Sequence, residues 1–428
     1  MASTNGLPDS TLRLARLGQR FISAECDRLG TDHFRTRLAL QPVHCLRGPD
    51  AVRLAYPGER VTRVGGPPMS TVTLLQDRGS VQTLDGPEHR QRKQMFIDLL
   101  SGGSARRLAD CFIEVWQAHE PSWPRDERFL FSEAMSQVLT ETALRWAGID
   151  RPGHQARRWS STLVAMIDNA GRLGPPNWAA RIRRGWMEAW ARNQVRRARL
   201  RPVDDSPLSR IAHHRDLVRR LLPLDVAAVE LLNLLRPIVA IGHFVGFALI
   251  ALYHHPEHRS ALAAGDPAAT AAFVSEVRRT APFFPMIGVR AKVPFTWQGE
   301  RFEAGDRILV DLYGTNHDPA HWPDPDDFRC ERFHTPGGDA DAFVPQGGGP
   351  MLPGHRCPGE DVTVMIMGRA LERLVRLDHI LVRPHQVDLR RAPGLPRGGI
   401  VLTLGSGPTA PVTLFEDRAG FAHDSTGT

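Results

Sequence analysis

The stretches FVPQGGG (residues 343–349) and GHRCPGE (residues 354–360) decide the fold of this chain. Three successive glycines allow the backbone to lie flat against something large. In the second stretch, Cys357 follows His355 and Arg356 and precedes an expected helix, so positive charge and amide donors should surround its sulfur. This environment favours a thiolate, which suits an axial ligand to iron. An inert buried cysteine, or a glycine-rich turn without a ligand, would account for the same loop.

Two further motifs lie upstream of the cysteine. Glu276 and Arg279 are one helical turn apart and can pair on one face, although such a pair is most often a surface salt bridge of little worth. The run from 315 to 333 has no apolar periodicity but is dense in turn residues. It contains His317 and His321 at the spacing of a metal pair, but Pro319 between them disfavours the helix that such a pair needs.

Taken in this order, the three motifs resemble those of the cytochrome P450 superfamily, over roughly residues 60 to 405. The resemblance implies a mainly α protein with small β-sheets, in which residues 1–428 form a single large domain that encloses haem. It implies that Cys357 is the metal ligand and that Glu276, Arg279 and Arg332 form a buried network behind the haem. The first 60 or so residues are weakly patterned.

The coarse pattern agrees with a mostly helical chain. Helical periodicity dominates from residue 105 to residue 253, and Asp225 is the expected N-cap of a long helix that stops before Pro256. After Pro282 short strands and turns predominate, and another helix is expected from just after Cys357 to about Leu377.

The long central helix departs from an ordinary cytochrome P450, which has an acidic residue followed by Thr there. Residues 231–240 read LLNLLRPIVA and contain no acid–alcohol pair. A buried, unpaired Arg236 would need an anionic partner, and Pro237 is expected to open the helix locally. The alternative is that Arg236 pairs with an internal carboxylate such as Glu230.

The Arg236–Pro237 pair, the QGGG stretch before Cys357, residues 82–86 and the segment around Met166–Asp168 resemble the bacterial fatty-acid peroxygenases of this superfamily. The resemblance implies haem b, hydrogen peroxide as the oxidant, a free fatty acid or related carboxylic acid as substrate, and no obligatory reductase. The guanidinium of Arg236 can hold a carboxylate bidentately. That carboxylate then supplies the missing acid–base group for hydroxylation at the α or β carbon, with decarboxylation to a terminal alkene as a side or main reaction.

The same resemblance assigns roles near residues 82–93. It makes Gln82 a distal residue that acts with Arg236 and Pro237. A Gln there tends to accompany hydroxylation and a His decarboxylation, and the alternative is that Gln82 only caps a turn. It also assigns haem binding to His89, Arg92, Lys93 and His355, for which a solvated basic helix face is the competing interpretation.

The substrate channel is expected to include Phe283 and Ala170 together with Arg236 and Gln82. The subfamily commonly has a basic residue where Ser70 stands and aromatic residues where Gln76 and Ala170 stand. Arg172 belongs to the same channel-forming segment. These departures predict a wider or more polar tunnel and leave the chain length of the substrate open.

Composition bounds the remaining possibilities. The 428 residues carry a formal charge of +7 that comes almost entirely from Arg. The basic stretch 181–201 is expected to be an amphipathic helix with a solvated Arg face, which disfavours nucleic-acid binding. Five scattered cysteines are not a disulfide framework. Without a signal pattern or an apolar run of membrane-spanning length, the chain is expected to be cytoplasmic.

Two other functions compete with a peroxygenase. One is a conventional monooxygenase, fed by redox partners and acting on another carboxylic acid, in which Arg236 is structural. The other is a non-catalytic haem- or lipid-binding protein. The missing acid–alcohol pair argues against the first, and the intact loop around Cys357 argues against the second.

Overall fold

The computed structural model describes residues 7–56, 59–77, 79–334, 337–382, 387–394, 396 and 398–405. Its helices are α1 (Thr11–Leu17), α2 (Phe21–Leu29), α3 (Pro49–Ala55), α4 (Met69–Thr71), α5 (Gly86–Leu100), α6 (Gly102–His119), α7 (Phe131–Trp146), α8 (Pro152–Asp168), α9 (Pro175–Ala198), α10 (Pro207–Ala212), α11 (Leu224–His254), α12 (Arg259–Ala263), α13 (Pro267–Thr280), α14 (Tyr313–Asn316) and α15 (Glu360–Leu374). A π-helical turn (Val72–Gln76) and single 3₁₀ turns (Gly18–Arg20, Val81–Thr83, Glu120–Ser122, Pro256–His258, Cys330–Phe333) lie between them.

The strands form small sheets beside the helices. They are β1 (His33–Leu38), β2 (Gln41–Leu46), β3 (Val61–Thr62), β4 (Arg128–Leu130), β5 (Met286–Ala291), β6 (Phe295–Trp297), β7 (Glu300–Phe302), β8 (Arg307–Asp311), β9 (His379–Leu381) and β10 (Val401–Leu404). One sheet has the order β1-β2-β8-β5-β3, in which β2 and β8 are parallel and the other neighbours are antiparallel. A second sheet has the order β4-β10-β9, and β6 and β7 form a hairpin.

Helix α11 is the centre of the molecule because it is apolar on nearly every side. It packs against α7, α8, α9, α13 and α15, and its side chains join the largest hydrophobic core. A helix that is hydrophobic all round must be surrounded by protein or lipid. Among the described residues, α11 is also the one helix whose length and hydropathy would allow it to cross a membrane, but other parts of the protein bury most of it.

One prediction about the helices was wrong, and another was confirmed with exceptions. Helix α11 begins at Leu224 with Pro223 as its N-cap, and no side chain caps it. Asp225 instead lies in the first turn, where its carboxylate pairs with Arg192 at 3.1 Å. Helix α9 exists and is amphipathic, with Arg181, Arg183, Arg196 and Arg197 exposed as predicted, but two positions differ. Arg184 is buried and Trp186 is 65% exposed, because the helix turns Arg184 toward acceptors inside the protein.

The segment before residue 60 was expected only to be weakly patterned. It contains α1, α2 and α3, together with two strands of the largest sheet. Its buried side chains form a small core of their own that includes Phe21, Ile22 and Phe34. That all 428 residues form a single domain stays a prediction.

Candidate active site

Cys357 lies in the loop that leads into α15. Its backbone N–H donates to the carbonyl of Gln346 at 3.2 Å, and the side-chain amide of Gln346 lies 3.8 Å from its sulfur. The N–H of Gly359 also points at the sulfur, and α15 begins at the next residue. Unpaired N–H groups at a helix start carry partial positive charge. The loop therefore directs two donors, the Gln346 amide and the Gly359 N–H, at the sulfur atom.

The charges beside Cys357 differ from the expected ones. Burial raises the pKa of the Cys357 thiol, opposed by the Gly359 N–H and by the charges of Lys93 and Arg278. Burial also lowers the pKa of His355 to about 4, so His355 is neutral near pH 7. Arg356 pairs with Glu360 at 2.7 Å. The prediction that His355 and Arg356 supply positive charge and favour a free thiolate was therefore wrong. Binding of a metal cation would itself favour the thiolate.

The glycines of the QGGG stretch lie against Tyr56, which is buried. Gly347 has a φ of +97°, and a Cβ there would lie 2.6 Å from the Tyr56 hydroxyl oxygen. Gly349 has a φ of +69°, and its Cβ would lie 2.7 Å from the Cβ of Tyr56. The large group that these glycines accommodate is thus the Tyr56 side chain, which holds the loop before Cys357 in place.

Behind this loop, Glu276 and Arg279 form a fully buried pair. Both nitrogen–oxygen distances between the two side chains are 2.7 Å. The remaining N–H groups of Arg279 donate to the carbonyls of Asn316, Pro325 and Asp327 at 2.9, 2.8 and 3.2 Å. Helix α13 is thereby tied to the irregular 315–333 segment, and the buried charges are paired and fully hydrogen-bonded, as buried charges must be.

Arg332 and His317 complete this arrangement. Arg332 lies 3.6 Å from Glu276 and donates to the carbonyl of Asp324 at 2.6 Å. His317 is hydrogen-bonded to the carbonyl of Tyr313 at 2.8 Å and stacks on its ring. The side chain of Asn316 accepts from the N–H of Val344 at 2.8 Å, which links the segment to the loop of Cys357.

A cluster of basic side chains lies beside the cysteine loop. His89 and His355 stack with ring centroids 3.9 Å apart, and both are shielded by protein. Lys93 is buried and donates to the carbonyls of Gly354 and Arg356. Burial lowers the pKa of Lys93 to about 7, and burial together with the charges of its neighbours lowers that of His89 to about 3.

Arg63 joins this cluster from the end of β3. Its guanidinium lies 5.1 Å from the centre of the Tyr56 ring, and its buried Nε has no hydrogen-bond partner in the structure. His355 faces one carboxylate, Asp85, at 3.7 Å. Arg92, by contrast, is turned away and donates to Gly79 and Glu230. Basic groups in excess, with an orphaned buried N–H, fit a ligand that carries carboxylates.

These residues fit haem. Cys357 keeps exposed surface although protein surrounds it, and Pro237 is exposed in the middle of the otherwise buried α11. Each of these two side chains therefore keeps a surface that other protein atoms do not cover. Cys357 would hold the iron, and Arg63, Lys93, His89 and His355 would face the two propionates of the group. A buried helix face, an iron-binding sulfur and a basic cluster are what this cofactor requires of a protein.

Arg236 lies on α11 and is 5% exposed. One hydrogen bond holds it, from its Nη1 to the side-chain oxygen of Asn233 at 3.2 Å. Among the described residues, no carboxylate lies within ion-pair distance of its guanidinium. Burial and the charge of Arg184 lower the pKa of Arg236 to about 9. An uncompensated buried cation is costly, and an anion from outside the chain would compensate it.

Glu230 does not pair with Arg236. Its carboxylate accepts hydrogen bonds from the N–H of Val81 at 2.8 Å, from Asn233 at 3.0 Å and from Arg92 at 3.3 Å. Burial raises the pKa of Glu230 against these donors. Because Glu230 is already occupied, the alternative of an internal Arg236–Glu230 pair was wrong.

Asn233 connects Arg236 to Gln82. Its amide group donates to the side-chain oxygen of Gln82 at 3.1 Å, while its own oxygen accepts from Arg236. Ser80 donates to the same oxygen of Gln82 at 2.9 Å. Two donors therefore hold the side-chain oxygen of Gln82, while its amide N–H groups make no hydrogen bond to the part of the chain that the structure describes. Helix α11 continues through Pro237 without interruption, so the expected local opening does not break the helix.

Of the other expected channel residues, Phe283 packs against α11 two helical turns beyond Arg236, and Ala170 follows the end of α8. Phe283 is buried and packs on Phe244 and on His243, with centroids 4.8 and 5.6 Å apart. His243 is bonded to Asp168 at 2.9 Å, and Ala170 is buried two residues beyond Asp168. His243 lies seven residues after Arg236, about 10.5 Å along the same helix face.

Several residues of the site were missed by the sequence analysis. Asn233 and His243 interrupt an apolar helix on the face of Arg236, and this polar interruption was the available signal. No local sequence pattern marks Arg63, since it follows β3 and is distant in sequence from the other residues of the basic cluster. Arg184 looked like part of an exposed basic face, but it donates to Thr73 and pairs with Glu188 and Asp77.

Comparison with known proteins gives consistent matches. The cytochrome P450 family model matches residues 268–396. The solved structure of cytochrome P450SP alpha (CYP152B1) in complex with (R)-ibuprophen is 38% identical, covering 92% of this chain and 98% of that one with a TM-score of 0.88. Cytochrome P450EX alpha (CYP152N1), solved with myristic acid, is 32% identical, covering 93% and 98% with a TM-score of 0.87.

Among curated proteins, a putative cytochrome P450 137 from Mycobacterium tuberculosis is 27% identical over 347 residues, which is 75% of this chain and 69% of that protein. The similarity to the solved structures thus extends over nearly the whole length of both partners, well beyond the region of the family model.

Proposed function

The chain belongs to the cytochrome P450 family, among its bacterial fatty-acid peroxygenases, and on this premise we propose that Arg236 holds the substrate carboxylate beside the haem. The enzyme is a haem-thiolate oxidoreductase that uses hydrogen peroxide to hydroxylate a fatty acid, with decarboxylation as the accompanying reaction. The position of the substrate carboxylate decides which carbon reacts, and in this proposal Arg236 alone sets that position.

The supporting observation is the unmatched charge of Arg236. It is a buried cation without a carboxylate in ion-pair distance among the described residues, and the nearby Glu230 is committed to other donors. A charge-assisted, bidentate bond to an incoming carboxylate would compensate this charge. A neutral ester or alcohol would leave it uncompensated.

The side chains around Arg236 determine how the acid is held. The side-chain oxygen of Asn233 accepts from the guanidinium of Arg236, and the side-chain amide of Asn233 donates to Gln82. Asn233 thereby orients both side chains. The free amide N–H groups of Gln82 can donate to a carboxylate or to peroxide on the same side. When bound, haem supplies the oxidising chemistry, with Cys357 as its ligand. Because α11 lacks the acid–alcohol pair, the carboxylate fixed on Arg236 is the group that accepts and returns the proton.

Further parts of this function are proposals of the same kind. Arg63, His89, Lys93 and His355 bind the haem propionates, while Arg92 supports Glu230. Phe283 and Ala170 line the path of the alkyl chain, with Gln76 and Ser70 making it more polar. No reductase or nucleic acid takes part, the chain is one domain of residues 1–428, and the protein is cytoplasmic.

The proposal is tested with the haem-loaded enzyme, hydrogen peroxide alone, a series of free fatty acids and the matching methyl esters. We expect hydroxylated acids, identified by mass, and unreacted esters. Arg236→Ala should lose at least about a thousandfold of the rate, and Arg236→Lys should retain part of it because it keeps the charge but not the bidentate geometry.

Each competing function has its own outcome in this experiment. Esters that react as well as acids would contradict the role of Arg236. Turnover with NAD(P)H, ferredoxin and reductase but not with peroxide would support the conventional monooxygenase. Tight binding of acids without turnover under either condition would support a haem- or lipid-binding protein.

A further inference from the structure

The outer face of α9 carries large apolar side chains in contact with solvent. Trp178, Ile182 and Trp186 follow one another at four-residue intervals and are 59, 60 and 65% exposed. Residues at this spacing lie on one side of a helix. The face opposite to them is buried in the protein, with Ala180, Arg184 and Met187 among its residues. We call the exposed row of Trp178, Ile182 and Trp186 the α9 stripe.

The α9 stripe continues at the start of the helix. Leu173 is 81% exposed just before α9, and Met69 is 52% exposed at the start of α4. The two segments are joined, because the side chain of Asn177 donates to the carbonyls of Asn169 and Ser70 at 3.0 and 3.5 Å. Thr71 likewise donates to the carbonyl of Ala170 at 3.2 Å. The apolar surface therefore lies beside the segments that carry Ser70 and Ala170.

Positive charge flanks the α9 stripe. Helix α9 contains six arginines and one glutamate, and the glutamate, Glu188, is paired with the buried Arg184 at 2.6 Å. Arg181 and Arg183 are exposed on the two sides of the stripe. Exposed apolar side chains bordered by arginines, without acidic residues of the same helix among them, form an apolar and cationic surface.

We propose that the α9 stripe docks on the surface of a lipid bilayer that carries anionic headgroups. Tryptophan rings favour the boundary between headgroups and acyl chains, because one end of the ring is polar and the other apolar. Arginine side chains lay their apolar stems along such a surface and place the guanidinium at phosphate level. A helix with this pattern lies in the plane of the interface and does not span it.

Two other occupants fit the α9 stripe less well. A second copy of the chain, docked around a twofold axis, would bring Arg181 and Arg183 against the same residues of its partner, and like charges would repel. A single-stranded nucleic acid would match the arginines and the tryptophans. It would, however, gain nothing from Ile182, Leu173 and Met69, since bases stack on flat rings rather than on aliphatic chains.

Docking would place the channel segments next to the acyl chains of the bilayer. A fatty acid dissolved in a bilayer could then reach Ala170 and Ser70 without crossing water, a consequence that rests on the proposed function. The docking itself does not depend on the substrate, because it uses only the surface of α9 and its neighbours.

The experiment is flotation of the haem-loaded full chain with vesicles, without substrate or peroxide. One set contains phosphatidylcholine alone and the other contains phosphatidylglycerol in addition. We expect binding to the anionic vesicles that weakens with salt. The double variants Trp178→Ser/Trp186→Ser and Arg181→Glu/Arg183→Glu should each bind at least about tenfold more weakly than the wild type.

Matched control variants are Leu12→Ser and Ile380→Ser, which change exposed apolar residues elsewhere, 84 and 61% exposed. They should bind as the wild type does. An unchanged haem absorption spectrum confirms that each variant is folded and loaded. Equal binding of all variants, or no binding to anionic vesicles, would overturn the proposal.

So would dimerisation of the wild type, measured by light scattering, that the tryptophan variant abolishes, or binding of a single-stranded oligonucleotide in place of vesicles. Failure of vesicle binding leaves peroxide-driven turnover untouched, and failure of turnover leaves vesicle binding untouched, so the two proposals fail separately.

Discussion

The two sides of the haem-binding region bury arginine in opposite ways. On the cysteine side, Arg279 is fully buried, pairs with Glu276 through two bonds of 2.7 Å and donates to three carbonyls. On the α11 side, Arg236 is also buried, at 5% exposure, but one hydrogen bond among the described residues holds it, to the neutral amide of Asn233. One arginine has all its partners within the chain, and the other does not.

This difference separates a scaffold from a binding site. A buried charge with a complete set of internal partners fixes the position of the loop that carries Cys357, and nothing in it remains to be filled. A buried charge with an incomplete set lowers stability unless a ligand completes it. Two arginines that each lie in a helix therefore have different functions, and their partners distinguish them.

The largest effect on stability is expected for Arg279→Met, and it tests the first half of this comparison. Removal of Arg279 leaves Glu276 buried without its partner, and we expect a loss of about 3–5 kcal/mol of unfolding free energy. Urea unfolding of the haem-loaded protein, followed by haem absorption, measures it. A loss below about 1 kcal/mol would mean that this network does not fix the position of the loop that carries Cys357.

The matched substitution on the other side should act in the opposite direction. Arg236→Met removes an uncompensated buried charge and keeps the volume, so the substrate-free enzyme should gain about 1 kcal/mol. The same urea titration applies. Destabilisation comparable to that of Arg279→Met would indicate an internal partner for Arg236 and would erase the difference between the two sides.

The cysteine side should also respond to acid. Burial lowers the pKa of His317 from its ordinary 6.5 to about 3, so the unfolded chain binds a proton below pH 6.5 that the folded protein does not bind. Stability is therefore complete above pH 6.5 and falls as the pH decreases toward 3.

His317→Asn keeps a donor near the carbonyl of Tyr313 but cannot titrate. Between pH 7.5 and pH 5 we expect the wild type to lose about 1–2 kcal/mol more than this variant. Parallel stability profiles for the two proteins would show that folding does not shift the pKa of His317.

An effect on ligand binding rather than on stability is expected at Asn233, which orients both Arg236 and Gln82. Asn233→Leu removes that orientation but leaves the charge of Arg236, so free acids should bind about tenfold more weakly while their methyl esters are unaffected. Titration of the haem absorption with each ligand measures this. An equal loss for acids and esters would indicate a general packing defect.

The sequence was sufficient where chemistry is local. The loop of Cys357, the Glu276–Arg279 spacing and the Arg236–Pro237 pair lie within short stretches, and each predicted an arrangement that could be compared with the structure. At Asp225 the local sequence led to a wrong prediction. Asp is a common N-cap residue, but the helix begins at Leu224 and Asp225 lies in its first turn.

Properties that depend on distant contacts could not be predicted. The charge of His355 depends on its burial against His89, and the inward position of Arg184 depends on Thr73 and Asp77. Arg63 reaches the basic cluster from a strand far along the chain. Glu230 cannot pair with Arg236 because it accepts from Arg92 and from the N–H of Val81. The spacing of residues along α11 does not reveal these two contacts.

The most direct measurement of the central claim is the affinity of one free fatty acid and its methyl ester for the wild type and for Arg236→Met, followed by the shift of the haem absorption. We predict that the wild type binds the acid about a hundredfold more tightly than the ester, and that this ratio falls to about one in the variant. A ratio that is the same in both proteins would contradict the assignment of Arg236 as the carboxylate-binding residue.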